Sequence, residues 1–217
     1  MKIRKHIMLM MAVLMCTLML CSCKLAADEP AATAEPTAEP AARIETAALD
    51  ENATYYAEID IADHGVITVA LYGNDAPISV ANFVKLANEG FYNGLTFHRI
   101  ISGFMMQGGD PNGNGTGGSG ENIKGEFSAN GVDNTLSHTR GAISMARSAA
   151  FDSASSQFFI MHKDYPSLDG QYAAFGYVTG GMDIVDSICE SAVPTDNNGT
   201  IPATEQPVIN SITIKEA

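Results

Sequence analysis

Hydrophobic and polar positions change rhythm several times along the 217 residues. An apolar run from Ile7 to Cys21 follows Lys2, Arg4 and Lys5, and the stretch after it, Lys24 to about Asn52, shifts to Ala, Glu, Pro and Thr with AlaGluPro at 34–36 and again at 38–40. Alternation then begins: Ile59 and Ile61 sit between Glu58 and Asp60, and Ile67, Val69 and Leu71 recur at every second position. This predicts two antiparallel strands joined near Asp63 to Gly65. At Val80, Phe83, Val84 and Ala87 the spacing lengthens to i, i+3, i+4, i+7, behind Asp75 and Pro77 and ahead of Gly90, which predicts a helix with its start and stop. Short strand-like runs follow at 96–100, 104–107, 142–146, 157–161, 173–178 and 208–214, and a second helix fits 182–189, where Ile184, Val185 and Ile188 share a face. Many short strands with only two helices predict a mainly β fold, a closed eight-stranded antiparallel barrel capped by the helices, because closure removes exposed edges.

The first apolar run is shorter than the ~20 residues that a spanning helix needs. Its charged-then-apolar layout reads as a secretion signal over residues 1–22, against an uncleaved anchor as the competing reading. Leu20 and Ser22, three and one residues before Cys23, resemble the lipobox of bacterial lipoproteins, in which the cysteine receives lipid and becomes the first mature residue. Residues 23–54 then form a tether kept extended by its prolines, with little to bury, and 55–217 form one domain. The expected setting is the extracytoplasmic face of a cell membrane, with the membrane contacted through the lipid on Cys23. Loss of residues 1–22 removes three cations and no acids, so the formal charge of −13 becomes −16. That balance excludes nucleic acid as a partner, since phosphate neutralisation takes clustered Lys and Arg. It also points to lipid rather than charge as the membrane attachment. Of the four cysteines, processing strands Cys189 alone, in the apolar pattern of the second helix, where it reads as a small buried hydrophobe rather than a nucleophile.

Four blocks carry the chemistry: FHRIISGFMMQGGD at Phe97–Asp110, GAISMA at Gly141–Ala146, SSQFFI at Ser155–Ile160 and LDGQYAAFG at Leu168–Gly176. Together and in this order they resemble the cyclophilin-type peptidyl-prolyl isomerases over essentially all of 55–217. The resemblance implies a cyclophilin-like barrel and an enzyme that acts on proline-containing polypeptides as a monomer with no cofactor and no metal. It implies that Arg99 is catalytic, that Gln107 assists it, and that Phe104, Met105, Phe159 and Leu168 line a proline pocket. Gln157 and the backbone near Ala146 and Arg147 would hold the substrate chain, with Tyr172 at the rim.

The implied roles agree with the chemistry of the bond. Amide rotation is opposed by ~18–20 kcal/mol of lost delocalisation, and no covalent bond breaks. A catalyst therefore needs only surroundings that favour the twisted amide over both planar forms. Twisting returns a lone pair to the proline nitrogen, which a permanently charged guanidinium can meet. An apolar slot anchors the ring and lowers the competition from water. His98 is expected to be a satisfied structural histidine on the face opposite Arg99, and His138 also reads as structural.

Departures from the family fall at the pocket rim. Ser167 stands where well-known eukaryotic members carry tryptophan and Tyr172 where they carry histidine; loss of the indole implies weak or no cyclosporin binding. The loop from Arg147 to Ala154 lacks the usual Gly and Asn run, which implies an altered preference in the neighbouring groove. Asp110 to Glu121 satisfies a calcium-loop spacing, and Gly113, Gly115 and Gly118 a dinucleotide spacing, but neither lies in the helical context such sites need. A proline-segment binding module or chaperone without turnover is the rival reading; dependence on Arg99 separates it from an isomerase.

Overall fold

The computed structural model describes residues 54–216. The signal segment, Cys23 and nearly all of the tether lie outside the described residues. Eight strands and two α-helices follow in the order β1 (Thr54–Ile61), β2 (Gly65–Tyr72), α1 (Pro77–Asn88), β3 (Thr96–Ile101), β4 (Met105–Asp110), β5 (Ala142–Met145), β6 (Phe158–Met161), β7 (Ala174–Gly180), α2 (Met182–Ser191) and β8 (Ile209–Glu216). All pairings are antiparallel.

β1 shows why these residues make strands: Tyr55, Ala57, Ile59 and Ile61 are buried while the residues between them are half-exposed. The turn to β2 carries Asp63 at φ 62°, a left-handed position that a short polar side chain tolerates. α1 buries Val80, Phe83, Val84 and Ala87 as the helical spacing requires, and its apolar face packs on β8 and β2. No side chain of its own caps the N-terminus. The buried Glu126 does so from far along the chain, its carboxylate accepting from Ile78 N at 2.9 Å and from Ser79 N at 2.7 Å and Oγ at 2.6 Å. A carboxylate there satisfies free amides and the positive end of the helix dipole together. α2 buries Val185, Ile188 and Cys189; the Cys189 thiol is pushed up to about 12, chiefly by burial, which makes it a poor nucleophile.

The sheet runs β3-β4-β6-β5-β7-β2-β1-β8 and curls into an open half-barrel. The expected full closure is not made by a strand ladder. β3 and β8, the two ends of the order, meet only where Thr96 bridges Val208, where Leu95 O accepts from Ile209 N at 2.8 Å, and where Gly94 N donates to Ile209 O at 2.8 Å. Pro207 explains the break: it accepts from Phe97 N at 3.0 Å but has no N–H with which to continue the ladder. Beyond it the segment before β8 covers the β3 edge, with Ile201 N donating to His98 O at 3.0 Å and Ile100 N donating to Gly199 O at 2.8 Å. The edge is thus protected by a loop instead of a strand.

Candidate active site

Arg99 reaches its place through an irregularity. Phe97 pairs with Gly108 and Arg99 with Gln107, so His98 is an extra residue between them. The resulting bulge buries both Phe97 and His98 and leaves Arg99 half-buried beside them. The expectation that His98 is satisfied does not hold: both of its ring nitrogens are buried without a hydrogen-bond partner among the described residues. Burial lowers the His98 pKa, the charge of Asp110 opposes that shift and Arg99 adds to it.

The guanidinium is held on two sides. Its Nε donates to the Asn198 carbonyl at 2.7 Å and its Nη1 to Gln107 Oε1 at 3.1 Å, with Met105 Sδ 4.0 Å away. Partial burial lowers its pKa against the attraction of Tyr172 and Asp196, and an arginine starts so high that it stays protonated. Gln107 passes the arrangement on: its Nε2 donates to Gln157 Oε1 at 2.9 Å, and Gln157 Nε2 donates to Gly117 O at 2.8 Å. These two amides are oriented by a chain of bonds that begins at a cation, so each presents its oxygen toward the arginine end.

Around Arg99 lies a cavity of about 130 Å³ lined by Phe104, Met105, Gln107, Ala146, Arg147, Phe159, Leu168 and Tyr172. Gln157 lies in an adjoining groove of about 480 Å³, whose walls include Gln107, Ala146, Arg147 and the glycine-rich stretch 115–120. The structure therefore brings every sequence-expected pocket residue to one place, with Gln157 next door. Met105 and Phe159 come from β4 and β6 and are nearly sealed, 1% and 5% exposed, so they form a floor. Phe104 packs on Tyr165 at 4.6 Å between ring centres. Leu168 ends a short 3-10 turn that also carries Ser167. Behind the floor, His138 stacks on Phe159 at 6.0 Å and is tied to Asp169 at 2.9 Å and to Ser144 Oγ at 3.0 Å. Burial lowers the His138 pKa while Asp169 opposes the shift, which fits the structural place expected of it.

Arg147 does not project freely into the pocket. Its guanidinium sits 4.7 Å from the Tyr172 ring, 5.1 Å from Phe127 and 5.2 Å from Phe151. It also donates to Gln171 O at 3.0 and 2.9 Å and to Ser148 O at 2.8 Å. Ring faces and carbonyls together make it a fixed partition between the cavity and the groove. The Ala146 N–H is likewise committed, to Gln157 O at 2.9 Å. Sequence reasoning missed Asn198, Asp196 and Phe127. Only the fold brings Asn198 to Arg99, and the AspAsnAsnGly turn signature at 196–199 was the available hint.

Comparison with known proteins agrees with this geometry. The family model described as "Cyclophilin type peptidyl-prolyl cis-trans isomerase/CLD" matches residues 56–217. A peptidyl-prolyl cis-trans isomerase of Helicobacter pylori is 49% identical over 137 residues, 62% of this chain and 80% of that protein. Peptidyl-prolyl cis-trans isomerase B of Bacillus subtilis is 48% identical over 133 residues, 61% of this chain and 90% of that protein. Among solved structures, a Cryptosporidium parvum cyclophilin-type isomerase crystallised in the presence of the dipeptide Ala-Pro superposes with a TM-score of 0.65 at 29% identity, covering 75% of this chain and 99% of that one. The match over most of the chain, the relatives and the pocket built around Arg99 lead to one conclusion: this chain belongs to the cyclophilin-type peptidyl-prolyl cis-trans isomerase family and is an enzyme of that class.

Proposed function

We propose that the domain accelerates rotation about X-Pro bonds in secreted or surface polypeptides and so assists their folding, without cofactor or covalent intermediate. In this reading residues 1–22 are removed, Cys23 is lipidated, and residues 23–54 hold a monomeric domain away from the extracytoplasmic face of the membrane. The observation that carries the catalytic part is the guanidinium of Arg99, fixed by Asn198 and Gln107 at the wall of a small apolar cavity. Two of its three nitrogens are engaged by the protein; Nη2 has no hydrogen-bond partner among the described residues.

The proline ring sits on Phe159 and Met105, with Phe104 and Leu168 at the sides. The chain before the proline lies along Ala146 and Arg147 toward Gln157. As the preceding carbonyl swings out of plane, the nitrogen becomes pyramidal and gains a lone pair that Arg99 meets with a charged donor. Because the donor is already oriented and half-desolvated, little reorganisation accompanies the twist, and the interaction is stronger in the transition state than in either planar form. Gln107 keeps Arg99 aimed. The relative studied with Ala-Pro supports a substrate of this class. With Ser167 in place of an aromatic at the rim, cyclosporin binds weakly or not at all.

The test is the cis/trans exchange of a short Ala-Pro peptide followed by NMR with the full chain and with Arg99→Ala. The substitution is expected to lower the catalysed rate by about 10²–10³, the usual loss for one preorganised donor; equal rates for the two proteins would remove the mechanism. Mass spectrometry of the membrane fraction checks for the lipid on Cys23.

A further inference from the structure

The turn that supplies the Asn198 carbonyl is itself built by one side chain. Asp196 Oδ1 accepts from Asn198 N at 2.9 Å and from Thr200 N at 3.0 Å, and Oδ2 accepts from Thr200 Oγ1 at 2.9 Å. Gly199 N closes the same turn onto Asp196 O at 3.2 Å, and Thr195 N donates to Thr200 O at 2.8 Å. A carboxylate that gathers amides two and four residues ahead dictates where the intervening carbonyls point. The turn is then fastened to β3 on both sides of Arg99. Thr200 bridges Arg99, Ile201 N donates to His98 O at 3.0 Å, and Ile100 N donates to Gly199 O at 2.8 Å. Gly199 has φ +87°, and a Cβ there would come within 2.8 Å of Ile100 O, so the close approach requires glycine.

We infer that Asp196 is a positioning residue for the isomerisation: by shaping this turn it places the Asn198 carbonyl on Arg99 Nε and so sets the direction of the guanidinium at the pocket wall. The inference rests on the reading of Arg99 as catalytic. Gln107 restrains Nη1 from the β4 side, and without the opposing hold on Nε the guanidinium could pivot about that single bond. Thr200 donates to the Asp196 carboxylate from both its amide and its hydroxyl, which hold that carboxyl below the usual range. The ionised group also adds attraction toward Arg99. Asp196 does not line the cavity, so it acts through Arg99 and not on substrate.

The experiment uses the full chain with Asp196→Ala, Asp196→Asn, Arg99→Ala and the double variant Asp196→Ala with Arg99→Ala. It reads peptide affinity, the exchange rate on the enzyme, and the ¹⁵Nε–¹Hε resonance of Arg99. Asp196→Ala is expected to slow exchange roughly tenfold, less than the ~10²-fold of a full ångström of misplacement. Affinity should stay within about twofold, and the Nε–H should shift and exchange faster with water as its acceptor is lost. Asp196→Asn keeps one acceptor oxygen and should restore most of the rate. In the Arg99→Ala background, removing Asp196 should cost nothing further, because the two act as one unit. An unchanged Arg99 Nε resonance in Asp196→Ala, or a loss that multiplies independently of Arg99, overturns the inference. Full activity of Arg99→Ala alone instead overturns the reading of Arg99. Should Asp196→Ala not fold, Thr200→Val, which removes only the hydroxyl bond to the carboxylate, must still move the Nε resonance and lower the rate severalfold, or the inference fails.

Discussion

Phe158 and Phe159 are neighbours on β6, and Met105 and Met106 are neighbours on β4, yet each pair is divided between two different environments. Phe158 is fully buried and meets Phe83, Tyr92 and Phe97 edge to face at 5.4, 5.5 and 5.9 Å, with Met106 in the same cluster. Phe159 and Met105 belong to a smaller cluster on the other face, where Phe104, Leu168 and Tyr172 are only partly buried and the cavity opens. The pleat sends successive side chains to opposite faces, so one strand contributes to a sealed core and to a pocket floor at once. Identical residue types are therefore worth different things one position apart. On the core side the rings have one another as partners; on the pocket side part of the contact surface is left for a substrate.

The largest effect should come from breaking the core member of the pair. Phe158→Ala removes a ring packed on three others and should cost about 3–5 kcal/mol of stability, read as a shift of the urea midpoint, while the fraction that remains folded still catalyses. Phe159→Ala should reverse the ranking. It is backed by His138 and Tyr172 and contributes less to the sealed core, but the proline ring loses its floor. Losing roughly 1.5–3 kcal/mol of apolar contact weakens peptide affinity about 10–100-fold, measurable by NMR titration. Equal stability losses for the two variants, or unchanged affinity for Phe159→Ala, would mean that the two faces are not divided in this way.

What was legible in the sequence follows from the range over which each rule acts. The α1 face at Val80, Phe83, Val84 and Ala87 and the β1 alternation are set by local periodicity. The pocket residues other than Arg147 were legible because four short blocks carry them, on or beside β3, β4, β5, β6 and the 3-10 turn, and Arg147 directly follows the second block. The bulge at His98, although it lies within the β3–β4 hairpin, breaks the alternation by which strands are read. The arrest of the ladder at Pro207 and the grip of Asn198 on Arg99 depend on segments about 100 residues apart or more, which no local pattern encodes. Glu126 belongs with these. It caps α1 from 47 and 48 residues away, where Asp75 and Pro77 had suggested a local start; Asp75 instead accepts from Thr135 Oγ1 at 2.7 Å. Helix α1 brings Phe83 to the core cluster, so its cap is the next way to sharpen the comparison. Glu126→Gln leaves at least one buried donor unpaired and removes a charge-assisted acceptor, a loss of about 2–3 kcal/mol. It should lower the urea midpoint and leave peptide affinity unchanged, as befits the core side.

The smallest effect tests the border between the two faces, where His98 lies buried with neither nitrogen bonded and a Cβ on Gly115 of the groove wall would be 3.6 Å from its Nε2. The pKa of His98 is depressed by burial, more than the Asp110 charge restores. The folded protein therefore binds fewer protons at this site than the unfolded chain does. Stability from this site is fully present above the ordinary histidine value of ~6.5 and falls as the pH drops below it. His138 contributes in the same direction. Asp110 acts later in an acid titration. Burial alone would raise its pKa, but the amides of Asn112, Asn114 and Gly115 outweigh that and hold it low, so its contribution is lost only below the ordinary carboxylate value of ~4. Between about pH 6.5 and 4.5 these histidines dominate the slope. Replacing His98 by Leu removes one of them together with two unpaired buried polar atoms. At pH 7.5 the variant should lie within about 1 kcal/mol of the parent. At pH 5 it should be the more stable of the two, with a shallower fall in urea midpoint across the window. An unaltered slope would assign the acid sensitivity to His138 alone and place His98 with the sealed core.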